Sequence, residues 1–271
     1  MTNQFQRHEP YVVRLFDGWC GKYESDDKRK HFWALFEKAG GRDAIRNRLA
    51  ETIRSHYERL DRIADDVARL GYDGAAELLR TVLPQNAKAR SGELGEILAT
   101  ELVEEQTSFR VPVRRLRYKD GREMALRGDD FIGAAYDPDD KIWLLKGEAK
   151  SNKTLGKTTI TSARKALCRH DGRCTPESLL FVANRLLESE DEDDVALGRT
   201  IRDGIGDKTV RASRVDHMLF TMSGNTPPAA LKADLDEASA DRTHYVVNLR
   251  VEDHQEFVAE MYEKAQKLGD T

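Results

Sequence analysis

The sequence predicts a mixed α/β fold, an α+β sheet with helices packed on it and a helical region ahead of it. Three observations lead there. An amphipathic pattern with helical spacing fills much of the first ninety residues, alternating or apolar runs bounded by turn residues follow between 109 and 150, and two further apolar runs lie near the C-terminal end. At 271 residues, with 39% hydrophobic and 34% charged residues, the chain is long enough to bury a sizeable core without a disulfide or metal staple.

At the N-terminal end, Tyr11–Phe16 reads as a strand and His31–Lys38 as a helix, both short. From Gly41, the apolar residues Ile45, Leu49, Ile53, Tyr57, Leu60, Ala64, Val67 and Leu70 recur every three or four positions, which predicts one long amphipathic helix. Gly71 stops it, Asp73 caps a shorter helix through Leu83, and Pro84 ends that one. Residues 1–88 are expected to form a mainly helical, partner-docking region, and residues 89–271 a second domain carrying the chemistry.

That second region opens with a helix over GELGEILATELVEE, capped by Ser91. Phe109–Lys119 alternates apolar and basic residues as a half-buried strand does, and Asp120-Gly121 supplies a hairpin turn. A second strand is expected over 124–136, and Asp137-Pro138-Asp139-Asp140 turns into a third over 141–150. A helix over 158–169 and an apolar strand over 179–183 come next. ESEDEDD, residues 188–194, reads as a solvated loop. Strands over 217–222 and 244–251 and an amphipathic helix over 257–268 complete the chain, with Pro227-Pro228 marking a surface connection.

Composition narrows the function. The net charge of −4 argues against a polycationic nucleic-acid coat, and no uncharged apolar run is long enough to span a bilayer. The start, MTNQFQRHEP, lacks the apolar stretch of a secretory signal. Three cysteines are too few for a disulfide framework, so the expectation is a cytoplasmic protein with free thiols and no membrane partner. Cys168, His170 and Cys174 match no familiar zinc spacing, and there is no GxxxxGK[ST] loop for a nucleotide.

The chemistry concentrates in Gly128-Asp129-Asp130 and in Trp143-Leu144-Leu145-Lys146-Gly147-Glu148-Ala149-Lys150. Side chains alternate along a strand, so Glu148 and Lys150 share one face and Ala149 takes the other. Pairing through the turn at 137–140 would bring Asp130 toward Glu148. Two carboxylates in one pocket repel unless a cation lies between them, and Mg²⁺ or Mn²⁺ meets that need with hard oxygen ligands. Lys150 beside them can orient or deprotonate a water, or stabilise the charge of a phosphorane-like transition state, which are roles in phosphodiester hydrolysis. Glu96 of GELGE, with Glu93 one turn earlier, can reach the same pocket if the helix packs over the sheet.

A helical Glu, then GDD, then Glu-Ala-Lys ending an apolar strand resembles the PD-(D/E)XK nuclease superfamily over roughly residues 91–185. More narrowly, the helix-rich N-terminal part followed by GELGE, RGDDFIG and WLLKGEAKS is similar to HamA, the nuclease subunit of the Hachiman anti-phage defence system. The resemblance implies a PD-(D/E)XK nuclease-like core acting as a metal-dependent DNA endonuclease. It makes Asp130 and Glu148 metal ligands together with the Ala149 carbonyl, Lys150 the catalytic lysine and Glu96 the helical acid. Asp129 competes for the role of Asp130. It also implies a superfamily-2-type, HamB-like helicase partner.

Charge is distributed to suit this reading. Residues 110–128 hold seven Lys or Arg against two acids, and residues 146–173 hold eight against two. Phosphate-tracking grooves concentrate positive charge in this way. Lys153, Lys157 and Lys165 are the expected phosphate contacts, while Arg115, Arg117 and Lys119 fit equally well on the solvated face of a strand. The alternative function is a non-catalytic nucleic-acid-binding or adaptor subunit on a nuclease-like fold.

Overall fold

The computed structural model describes residues 14–207 and 209–269. A six-stranded sheet of order β1-β2-β6-β5-β4-β3 forms the middle layer. It is built from β1 (Cys20–Asp27), β2 (Lys30–Glu37), β3 (Phe131–Tyr136), β4 (Ile142–Asn152), β5 (Val215–Ser223) and β6 (His244–Arg250). The β4-β5, β5-β6 and β2-β6 pairs are parallel, and the two outer pairs, β1-β2 and β3-β4, are antiparallel. The expected mixed α/β class is the one found.

Helices cover both faces, as inner parallel strands require. Successive residues show it: Leu145, Phe220 and Val247 join one core, with α1 (Leu15–Trp19), α2 (Gly41–Tyr57), α4 (Ala87–Gln106) and α9 (His254–Ala265). Their neighbours Leu144, Leu219 and Val246 face the other way. Leu144 packs with α6 (Pro176–Leu187) and α7 (Glu192–Gly206), and Leu219 and Val246 with α5 (Lys157–Leu167) and α8 (Ala229–Glu237). The remaining helix, α3 (Leu60–Val82), buries only Ile63, Ala75, Ala76 and Leu79 and leaves Leu60, Leu70, Tyr72, Leu78 and Val82 exposed.

Several local expectations are corrected. The segment over 31–38 is strand β2, not a helix. His31-Phe32-Trp33 and Phe36 are aromatic-rich, Trp33 and Leu35 turn inward at period two, and β1, unforeseen, pairs with it across a two-residue turn in which Lys28 takes φ 54°. Thus the N-terminal part contributes two strands to the common sheet. Of the strand expected over 11–16, residues 11–13 lie outside the described residues and Leu15-Phe16 begin α1. The long helix over 41–70 is two helices, because Glu58 and Arg59 are extended; Gly71, at φ 74°, breaks α3 where a stop was expected.

Helix α4 starts earlier than expected. Asn86 caps it by accepting from the Lys88 N–H, and Ser91 instead lies inside it, 2.8 Å from the Ser151 hydroxyl. The strands over 109–119 and 124–130 are absent: Arg110 makes one bridge to Ala134, Arg115–Tyr118 forms a 3-10 turn, and β3 begins only at Phe131. The Asp120-Gly121 turn therefore joins no hairpin. Residues 179–183 lie in α6, where Thr175 caps, Pro176 opens the first turn, and Leu179, Val182, Ala183 and Leu186 form one buried face. Acids of the 188–194 tract begin α7, with Asp191 accepting from the N–H groups of Asp193 and Asp194, a placement the helix dipole favours. The turn at 137–140, β4 through β6, α5 and α9 lie where the sequence placed them, to within a few residues.

Candidate active site

The site forms at the flank of β4. Strand β3 pairs with β4 only as far as Phe131 opposite Gly147, and β4 continues five residues further with no strand on that side among the described residues. Asp130, the residue just before β3, turns its carboxylate into the opening: Oδ2 accepts the Ala149 N–H at 2.8 Å. A backbone donor that lacks a ladder partner is satisfied by a carboxylate, and that carboxylate is thereby fixed beside residues 148–150.

The entry to β3 depends on Gly128. It adopts φ 97°, and a Cβ there would lie 2.1 Å from the Ser178 hydroxyl oxygen. The two acids that follow have different fates. Asp129 is buried: Oδ2 accepts the Thr175 N–H at 2.7 Å and Oδ1 lies 3.5 Å from the Lys146 ammonium. Lys146 also donates to the carbonyls of Arg169 and Arg173, at 3.1 and 2.9 Å. This pair ties the loop before α6 to β4. Of the two candidate aspartates, Asp130 is the one that stands with Glu148 and Lys150.

Lys150 Nζ donates to Glu148 Oε1 at 2.5 Å and to the Ala149 carbonyl at 3.1 Å, and it lies 4.0 Å from Asp130 Oδ2. Three oxygens from three residues thus surround one ammonium. Burial pushes the Glu148 carboxyl up to about 7, helped by the charge of Asp130 and opposed by Lys150. Burial also raises Asp130, against the pull of Lys150 and of the Ala149 N–H. For Lys150, burial lowers the pKa, but Asp130 and Glu148 outweigh it and hold the group charged.

Helix α4 supplies Glu96. It approaches β4 closely because residue 95 is glycine, where a Cβ would stand 3.2 Å from that of Ser151. Glu96 shares a narrow cleft with Asp130, Arg115 and His56, and burial followed by the Asp130 charge drives its carboxyl well above the usual range. Glu93 does not join this group. It accepts from Tyr57 at 2.6 Å and from Lys119, in a buried cluster with Tyr262.

The basic residues divide. Lys153, Lys157 and Lys165 are exposed, on the segment after β4 and on α5, and no contact ties them to the carboxylates. Arg115, Arg117 and Lys119 are not on a solvated strand face. Arg115 is buried and donates to the carbonyls of Arg127 (2.6 Å) and Asp129, which fixes the GDD turn. Arg117 donates to the Ser55 carbonyl at 2.6 and 2.9 Å. Sequence reasoning missed Arg115 as a part of the site, since only the folded turn brings it beside Glu96 and Asp130.

The donors suit a hard divalent cation. Asp130, Glu148 and the Ala149 carbonyl present oxygens to a single point, now marked by the Lys150 ammonium, and burial, helped by the Asp130 charge, raises the Glu148 carboxyl against the pull of that ammonium. Among the described residues, no group of three or more His, Cys, Asp or Glu side chains could hold a metal ion; the third oxygen here comes from the backbone. Cys174 is buried and Cys168 exposed, and they build no zinc centre among those residues.

Among the described residues, no helix is long and apolar enough to cross a membrane. The family model for HamA matches residues 14–265. Hachiman protein HamA of Bacillus cereus is 27% identical over 186 residues, which cover 66% of this chain and 64% of that protein, just under two thirds of its length. With a family match that takes in both helical layers, the sheet and every residue of the site, this chain belongs to the HamA family.

Proposed function

We propose that the protein is the nuclease effector of an anti-phage defence system, a PD-(D/E)XK-type endonuclease that hydrolyses DNA with Mg²⁺ or Mn²⁺ in the cytoplasm under control of a helicase partner. The observation that carries this reading is the convergence of Asp130, Glu148 and the Ala149 carbonyl on one point beside Lys150. Family membership supports the defence role.

Asp130, Glu148 and the Ala149 carbonyl would hold the cation, which when bound would supply Lewis-acid chemistry at the phosphate. Lys150 is displaced from their oxygens and turns its charge to the phosphate under attack. Glu96 accepts a proton or hydrogen-bonds the water on the α4 side. Lys153, Lys157 and Lys165 neutralise flanking phosphates. The N-terminal part, residues 1–88, docks the partner, and exposed apolar residues of α3 support that role.

The test is plasmid cleavage by the purified chain with the helicase, ATP and Mg²⁺. Cleavage disappears in both Glu148→Ala and Lys150→Ala; cleavage that persists in both overturns the mechanism. One observation favours the adaptor alternative, namely that Lys150 already fills the position a cation needs. Under that reading, plasmid stays intact with Mg²⁺ and protection against phage survives Glu148→Ala.

A further inference from the structure

The 3-10 turn Arg115–Tyr118 leads from the carboxylates to the surface. At its inner end Arg115 lines the cleft with Glu96 and Asp130, and its guanidinium lies 5.7 Å from the Phe181 ring centre. At its outer end Tyr118 meets the same Phe181 edge-on, with centroids 5.6 Å apart and planes at 82°. Arg185 lies over Tyr118 at 5.1 Å. The result is a continuous series, Asp130, Arg115, Phe181, Tyr118 and Arg185.

Two features exceed what is needed to pin the turn against α6. Tyr118 keeps 39% of its surface exposed, although Phe181 and Arg115 already seal the contact. Positive charge around it is also incompletely cancelled. Arg185 pairs with Glu188 at 2.9 Å, Arg115 faces the carboxylates of Glu96 and Asp130, and Arg117 donates to a main-chain carbonyl without an ion pair among the described residues. An exposed aromatic ring among guanidinium groups matches a nucleotide, which offers a flat base face and a phosphate. In a duplex the base faces are occupied by their neighbours, so a ring of this kind selects an unpaired base.

We propose that Tyr118, backed by Phe181 and flanked by Arg185, is a stacking platform for an unpaired nucleobase, which holds single-stranded nucleic acid against the carboxylate site. This rests on the nuclease reading and adds its substrate class.

The experiment measures binding by fluorescence anisotropy in EDTA, where nothing is cleaved, using the full chain with a short single-stranded oligonucleotide, the same strand carrying abasic sites, and its duplex. Tyr118→Ala should weaken single-strand binding about tenfold and leave duplex binding unchanged, while Tyr118→Phe, which keeps the ring, stays within about twofold of the parent. The parent protein should lose a similar factor on the abasic strand, a readout that survives even if Tyr118→Ala folds poorly. Equal affinity of the parent for intact and abasic strands, or equal losses on single strand and duplex, would overturn the platform and leave the nuclease reading standing. A parent protein that binds neither strand nor duplex also overturns the platform.

Discussion

The carboxylate of Asp130 accepts the backbone N–H of Ala149 at 2.8 Å, so the residue just before β3 closes the unpaired flank of β4. One contact therefore stabilises the sheet edge and aims a carboxylate at Glu148 and Lys150. Asp130→Asn keeps an acceptor for that N–H, whereas Asp130→Ala leaves it unmet. Denaturant unfolding should find the Ala variant destabilised by about 1.5–3 kcal/mol and the Asn variant by clearly less. Both should lose at least about a hundredfold in cleavage, since neither keeps the charge. Equal stability of the two variants would separate Asp130 from the sheet edge.

Lys150 competes with a cation for the same oxygens, being 2.5 Å from Glu148 and 3.1 Å from the Ala149 carbonyl. Lys150→Met should accordingly bind Mg²⁺ or Mn²⁺ more tightly than the parent in titration calorimetry while cleaving nothing. Glu148→Gln should bind the metal more weakly. Weaker metal binding by Lys150→Met would mean that the lysine supports the cation and does not exclude it.

Gly95 lets α4 come near β4, with a virtual Cβ 3.2 Å from that of Ser151. Gly95→Val pushes the helix away and carries Glu96 with it. The expected cost is about 1–3 kcal/mol of stability. Cleavage should fall further than stability explains, by about tenfold or more at temperatures where the variant is fully folded, because small displacements of positioned groups are costly. Cleavage at the parent rate would remove Glu96 from the site.

His217 and His244 are neighbours across β5 and β6, ring centres 5.2 Å apart, and both are buried. Burial pushes His217 down to about 3, with the Gly172 carbonyl opposing and Arg242 adding, and His244 down to about 4, with Arg164 and Arg242 adding. Unfolded histidine titrates near about 6.5, so the unfolded state takes up protons first as pH falls. The stability these neutral rings allow is present above about 6.5 and is lost toward pH 4, at up to about 2.7 kcal/mol per pH unit for two protons. Comparing the parent with His217→Gln/His244→Gln cancels the other titrating groups. The stability difference between parent and variant should shift by about 4 kcal/mol against the parent from pH 7 to 5, and an unchanged difference would count against the assignment.

Some of this was legible along the chain for local physical reasons. The turn at Asp137 works through its own carboxylate, Oδ1 accepting the N–H groups of Asp139 and Lys141, so turn chemistry alone located it. The strand carrying Glu-Ala-Lys and the run over 217–222 are apolar stretches, and the alternation of Glu148 and Lys150 follows from strand geometry. Gly128 of GDD marks where the backbone takes positive φ, and Gly95 of GELGE where α4 comes close to β4.

What the sequence by itself determined, then, is the class of fold, the strand that carries Glu148 and Lys150 and the turn that leads into it. Tertiary structure decided the rest. His31–Lys38 and Leu179–Ala183 are apolar runs too short for periodicity to separate strand from helix; pairing with β6 settled the first and the Thr175-Pro176 cap the second. Asp129 and Asp130 are chemically identical side by side, and only the distances to Lys146 and to Ala149 give them different work. Arg115 looked like one of several solvated cations until the fold buried it between Glu96 and Phe181. Residue type and spacing carry local preference, whereas the desolvation and convergence that create a site exist only when segments distant in sequence exclude water together.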